Sequence, residues 1–242
     1  MKIALLAKID ELDGIDEVNK FCERFGFMAK KAFIFDMDGV IIDSEHFHSI
    51  TKVQAIRSFG VDVSEADLNL ESYVGRSAKS FFSDVIAKYP ALGDDWEVIA
   101  RKKHELYQKI LREDPDLKPI DGIPELLERL KENGYKIGLG SSSVMANIQL
   151  VLGRFGIMDY FDAIAAGSEV EHAKPAPDVY LLTASRLGIA PENCTVVEDA
   201  TAGIAAAKAA GMRCIAVRNP NSGEQDFSQA DVVIDQYDEI KL

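Results

Sequence analysis

The chain has 242 residues, 47% hydrophobic and 28% charged, with 27 basic against 40 acidic side chains and a formal charge of −13. A chain of this length buries enough surface to fold without disulfide or metal staples, and its composition excludes disordered and collagen-like classes. The negative charge works against nucleic acid and anionic membrane surfaces, so neither partner is expected; the one basic run is Arg101-Lys102-Lys103.

Cys22, Cys194 and Cys214 show neither CxxC spacing nor even pairing, so no zinc site or disulfide framework is expected. The opening stretch MKIALLAKIDELDG holds too short an apolar run for a secretory signal, and nothing approaches a membrane span. The expectation is a cytoplasmic protein, a monomer or weak dimer.

In chain order, residues 1–30 form an N-terminal extension with scattered apolar residues, compatible with short helices. Met28 resembles a translation start, so the first 27 residues are expected to be dispensable for catalysis. Ala32-Phe33-Ile34-Phe35 then stops abruptly at Asp36 and reads as a strand buried on both faces. Residues 45–115 carry helical faces through Val53 and Ile56, through Ala78, Phe81, Phe82 and Val85, and through Trp96, Ile99, Ala100 and Tyr107. They read as an all-helical insertion opened by Asp43-Ser44, residues suited to a helix start.

Beyond it, strands at 137–139, 163–166, 195–197, 214–217 and 232–234 alternate with helices. These helices carry Ile123, Leu126, Leu127 and Leu130, then Ile148, Val151 and Leu152, then Tyr180, Leu181, Ala184 and Leu187, with a last one over 201–210. The alternation predicts an α/β fold, a doubly wound (Rossmann-like) parallel sheet formed by 31–44 and 116–242, with a helical cap over 45–115.

Ligands of such sheets bind beyond the carboxyl ends of the strands. There stand Asp36-Met37-Asp38-Gly39-Val40, Gly140-Ser141-Ser142-Ser143, Lys174-Pro175 and Glu198-Asp199. Clustered carboxylates are costly to bury unpaired, and a divalent cation removes the cost. Hard oxygen donors select Mg2+, which leaves room for a phosphate. Ser141 and Lys174 suit that phosphate, with Ser142 preferred over Ser143 as a second contact, and the amides around Met37 to Gly39 could form an anion nest.

The arrangement resembles the haloacid dehalogenase superfamily, in its phosphatase branch with a helical cap after the first strand. DxDGV, the serine ending the second strand in GLGSSS (Ser141), Lys174 in HAKPAPDVY and Glu198-Asp199 in VVEDATAGIAAAKAAG match its four motifs in order. KPAPDVY and Asp43-Ser44-Glu45 with His48 place it near the β-phosphoglucomutase and sugar-phosphatase group. The resemblance implies that Asp36 is the nucleophile and Asp38 the general acid and base. It implies Mg2+ on Asp36, the Asp38 carbonyl, Asp199 and Glu198, with Glu198 either a direct ligand or one step removed. His48 could touch the leaving group or Asp38, or be an interdomain structural histidine. Glu45 and Arg76 are candidates for substrate contact.

The resemblance thus implies hydrolysis of a small phosphomonoester, a sugar phosphate, through an aspartyl phosphate. The second acid, Asp38, argues against dehalogenation. A mutase is the nearest alternative. Mutases of the group carry Lys before the cap glycine, and here Gly75 follows Val74, which weakens that reading. A phospho-accepting receiver domain has adjacent acids and no such insertion. A non-catalytic binding module is disfavoured because every motif position is intact.

Overall fold

The computed structural model describes residues 31–70 and 78–242. The N-terminal extension, Val74, Gly75 and Arg76 lie outside the described residues. Strand β1 is Ala32–Phe35. The helices α1 (Glu45–Ser58), α2 (Glu65–Leu68), α3 (Ala78–Lys88) and α4 (Trp96–Glu113) follow. The remainder alternates: α5 (Ile123–Glu132), β2 (Lys136–Ser141), α6 (Met145–Phe155), β3 (Ala163–Ala166), α7 (Asp178–Leu187), β4 (Cys194–Glu198), α8 (Thr201–Ala209), β5 (Arg213–Val217) and β6 (Val232–Ile234).

The sheet has six strands in the order β3-β2-β1-β4-β5-β6, and every neighbouring pair is parallel. This is the doubly wound arrangement expected from the alternation. Period-two side-chain placement divides β1 between two cores. Phe33 and Phe35 pack with Leu126, Leu130, Ile148 and Val151 of α5 and α6. Ala32 and Ile34 pack on the other side with Val179, Tyr180, Ile204 and Ala207 of α7 and α8. Both faces of the sheet are therefore covered, which is why its strands are continuously apolar.

The helical segment has its own core, in which Val53, Ile56, Phe81, Phe82, Val85 and Ile99 are buried together. The short helix α2 is one element the sequence reading passes over. It is fixed by a capping box, with Ser64 accepting from the Asp67 amide and Asp67 from the Ser64 amide. Ser44 corrects a local expectation. It stands at the start of α1, but its hydroxyl makes no capping bond and donates instead to Asp38 Oδ1 at 2.6 Å. No helix among the described residues is long and apolar enough to cross a membrane.

Candidate active site

The strand order places β1 between β2 and β4, so the loops leaving these three strands meet at one rim. Asp36 extends β1 by one step, its amide donating to the Val197 carbonyl at 3.0 Å. Glu198 and Asp199 leave β4 beside it, and one carboxylate oxygen from each of Asp36, Glu198 and Asp199 lies within 4.8 Å of the others. All three acids are buried. Lys174 reaches in from the loop before α7 and donates to Asp36 Oδ1 at 2.6 Å and Glu198 Oε1 at 2.8 Å.

Three buried acids face one buried ammonium, and the electrostatics show the imbalance. Burial pushes Asp36 up from 3.8 to about 7, opposed by Lys174 and reinforced by Glu198 and Asp38. Asp199 is driven well above the carboxylate range by burial and by Glu198, although the Ser222 hydroxyl bonds it. Burial also opposes the charge on Lys174, but Asp36 and Glu198 outweigh it and raise the pKa of its ammonium. A divalent cation fits this donor set, because it supplies the positive charge the cluster lacks and takes hard carboxylate oxygens.

The two acids of the last pair differ in their surroundings. Glu198 is saturated: Oε1 accepts from Lys174 and from Tyr180 at 2.9 Å, and Oε2 accepts from the Asp199 and Ala200 amides at 2.8 Å each. Asp199 keeps more of its lone pairs free. Two glycines make room for the pair. A Cβ on Gly203 would stand 1.5 Å from Glu198 Oε1, and one on Gly39 would stand 1.9 Å from Asp199 Oδ2. Gly39 also has φ +81°, in the left-handed region that disfavours a side chain. Its amide donates to the Ile42 carbonyl at 2.8 Å, which corrects the expectation of a nest reaching Gly39. Among the described residues only the Met37 and Asp38 amides of that turn lack an acceptor.

Asp38 faces the helical segment and sits in a separate ring of donors. Ser44 bonds Oδ1 at 2.6 Å, Tyr107 bonds Oδ1 at 3.2 Å, and Ser143 bonds Oδ2 at 2.8 Å. His48 Nε2 lies 3.6 Å from Oδ1, and its ring stacks on Tyr107 with centroids 4.3 Å apart. Lys103 Nζ is 2.8 Å from His48 Nδ1. An ammonium only donates, so Nδ1 accepts and the ring proton stands on Nε2, facing Asp38. Burial and Lys103 lower the His48 pKa against the pull of Asp38. Burial disfavours the Asp38 charge, but His48, Ser44 and Ser143 outweigh it and hold its pKa below the usual range. With Nδ1 accepting from Lys103, His48 turns the N–H of Nε2 toward Asp38.

Ser141 closes β2, fully buried; its hydroxyl accepts the Ser143 amide at 3.0 Å and keeps its own proton for donation. Ser142 is exposed and its side chain bonds nothing among the described residues, whereas Ser143, passed over in the sequence, bonds Asp38. Glu45 does not touch Asp38; its Oε1 lies 4.0 Å from Lys52. Lys103, Tyr107, Tyr180, Ser222 and Asn219, which bonds the Gly39 carbonyl at 3.1 Å, are also additions from the structure. Lys103 belonged to the one basic run, and only the facing of α4 onto α1 reveals its role. Tyr180 is the last residue of HAKPAPDVY, Tyr107 lies on a face of α4, and Ser222 and Asn219 lie in the loop after β5, outside every motif.

A doubly wound sheet with buried acids, a lysine and a serine at its carboxyl rim defines an α/β enzyme. Comparison with known proteins narrows the class. The profile of haloacid dehalogenase-like hydrolases matches residues 33–217. The chain is 33% identical over 210 residues to "Hexitol phosphatase B" of Escherichia coli (strain K12), covering 86% of this chain and 93% of that protein. It is 34% identical over 217 residues to "Beta-phosphoglucomutase" of Bacillus subtilis (strain 168), covering 88% and 92%. A solved beta-phosphoglucomutase from Clostridium difficile matches with a TM-score of 0.71 at 31% identity, covering 88% of this chain and 93% of that one. The chain belongs to the haloacid dehalogenase-like hydrolases, as its motifs led us to expect.

Proposed function

We propose that the protein hydrolyses a small phosphomonoester, a sugar or sugar-alcohol phosphate, with Mg2+, through an aspartyl phosphate on Asp36. The observation that carries this reading is the convergence of Asp36, Glu198 and Asp199 on one buried point with Lys174, among the described residues, as their sole close cation. Relatives that act as phosphatases and phosphoglucomutases support it.

Mg2+ would be held by Asp36, Asp199 and the Asp38 carbonyl, and when bound it supplies charge neutralisation and orientation for the phosphoryl group. Glu198, with every lone pair already engaged, holds Lys174 and the Asp199 amide in place. Asp36 attacks phosphorus and forms a P–O bond as the ester P–O bond breaks. Asp38, whose pKa the donor ring holds low, takes up a proton from solvent as the anionic ester binds, gives it to the leaving oxygen and then removes one from the attacking water. Ser141, Lys174 and the free Met37 and Asp38 amides bind the phosphoryl oxygens. Ser44, Ser143, Tyr107 and His48 fix the orientation of Asp38, and residues 45–115 act as a cap over the leaving group, with Glu45 and Arg76 as further substrate contacts.

The test is phosphate release from a panel of phosphorylated metabolites, with Mg2+ and again with chelator. Release restored by Mg2+ after chelation is the expected result; metal-independent release, or none from any ester, contradicts the reading. The mutase alternative predicts isomerisation of β-glucose 1-phosphate, primed by a bisphosphate, without release of phosphate.

A further inference from the structure

The leaving group must lie on the side of Asp38 that faces the helical segment, and the surroundings there are rich in unmatched donors. On α1, Glu45, His48 and Lys52 stand at i, i+3 and i+7, a single face of the helix. That face meets Lys103 and Tyr107 of α4, one turn apart on their own helix. Two lysines are thus enclosed at one interface.

Neither has the partner a buried ammonium needs. The Lys52 side chain is only 16% exposed, and its nearest carboxylate, Glu45, stands at 4.0 Å, too far for a hydrogen bond. Its other neighbour is the face of the Phe81 ring, 5.3 Å from Nζ to the centroid. Lys103 donates one of its three N–H bonds to His48 and lies over the Tyr107 ring at 4.8 Å. No carboxylate among the described residues comes within ion-pair distance of it. Asp38 does not fill the need, because its oxygens are taken by Ser44, Ser143 and Tyr107.

We infer that Lys52, with Lys103 beside it, forms a subsite for a second anionic group on the substrate, remote from the phosphate that is cleaved. The substrate class is then a phosphorylated sugar derivative that carries a further phosphate or a carboxylate. An anionic oxygen between the two ammonium groups gives each a charge-assisted hydrogen bond and offsets their mutual repulsion. That repulsion registers on Lys103, whose pKa burial and then Lys52 bring down to about 8. A neutral hydroxyl supplies an acceptor but leaves both charges facing each other. This inference rests on the phosphomonoesterase reading and deepens it.

The test compares three probes on the full chain with Mg2+: glucose 6-phosphate, which has no second anion, 6-phosphogluconate, with a carboxylate, and glucose 1,6-bisphosphate, with a phosphate. The expected result is a kcat/KM at least about tenfold higher for one or both probes with a second anionic group than for glucose 6-phosphate. Lys52→Met is expected to remove about tenfold of that ratio and Lys52→Arg to retain it, which separates charge recognition from packing against Phe81. Which of the two probes gains identifies the second group as carboxylate or phosphate. No preference in the native enzyme, or a preference unchanged in Lys52→Met, overturns the inference. Thermal-shift titration of Asp36→Asn with the same probes reads binding without turnover. Stabilisation that favours the two probes with a second anionic group and disappears on adding Lys52→Met upholds the subsite even if no ester is hydrolysed, an outcome that would instead remove the phosphatase reading. Equal stabilisation by all three probes overturns the subsite. Hydrolysis of p-nitrophenyl phosphate without any preference for a second anionic group removes the subsite alone.

Discussion

The carboxylate rim of the sheet and the donor ring around Asp38 are built on opposite electrostatic plans. At the rim, Asp36, Glu198 and Asp199 share one lysine, and burial pushes Asp36 and Asp199 upward. Around Asp38, by contrast, hydroxyls and an imidazole surround a single acid and hold it down. The rim is short of positive charge and calls for a cation; the ring is already satisfied and positions one proton-transfer group. Like residues a few ångströms apart are thereby given different chemistry.

The contrast can be broken at either side. The largest effect is expected from Asp36→Asn, which removes the nucleophile and should lower turnover by more than about 10⁴-fold while circular dichroism shows an intact fold. Substantial retained hydrolysis would mean the nucleophile is elsewhere. Asp38→Asn should cost about 10²–10⁴-fold, and less with an aryl phosphate whose leaving group needs no proton. Equal losses on alkyl and aryl esters would take the acid role from Asp38. Lys103→Met, which frees Nδ1 of His48, should reduce kcat by about tenfold and shift the pH profile, leaving Mg2+ affinity alone. A loss of metal affinity in that variant would merge the two regions.

The smaller effects are on stability. Gly203→Ala drives a methyl into Glu198 Oε1 and should destabilise by about 1–3 kcal/mol, read as a fall in Tm. An unchanged Tm would show that Glu198 is free to move. The pH dependence follows from Asp36, whose folded pKa of about 7 exceeds its ordinary 3.8. Between those values the folded metal-free protein binds more protons than the unfolded chain, so its stability declines as pH rises through that window. Mg2+ should therefore raise Tm more at pH 8 than at pH 5, and an equal rise at both would contradict the charge imbalance.

The rim was legible in the sequence and the ring only partly so. Asp36, Ser141, Lys174, Glu198 and Asp199 follow apolar strands, or precede a helix, and a parallel sheet brings such loop residues to one edge whatever the details of packing. The strands themselves were readable because burial on both faces leaves unbroken apolar runs. The ring depends on how one helix face meets another. Lys103 and Tyr107 come to His48 only through the packing of α4 on α1, and helical periodicity gives a face without naming its partner. Ser143 and Ser142 are adjacent in a run of three serines, so only backbone geometry shows which hydroxyl turns to Asp38. Gly203 carries no signal of its own in the sequence, and its role shows only once Glu198 is seen against it.

The account turns on a phosphoryl group passing through Asp36. The most direct measurement is mass spectrometry of peptides from Asp38→Asn, acid-quenched during turnover with Mg2+ and an aryl phosphate. We predict that the peptide containing residue 36 gains the mass of one phosphoryl group, and that hydroxylamine removes it. An unmodified peptide while phosphate is being released would show that water attacks the ester directly, and would contradict the central claim.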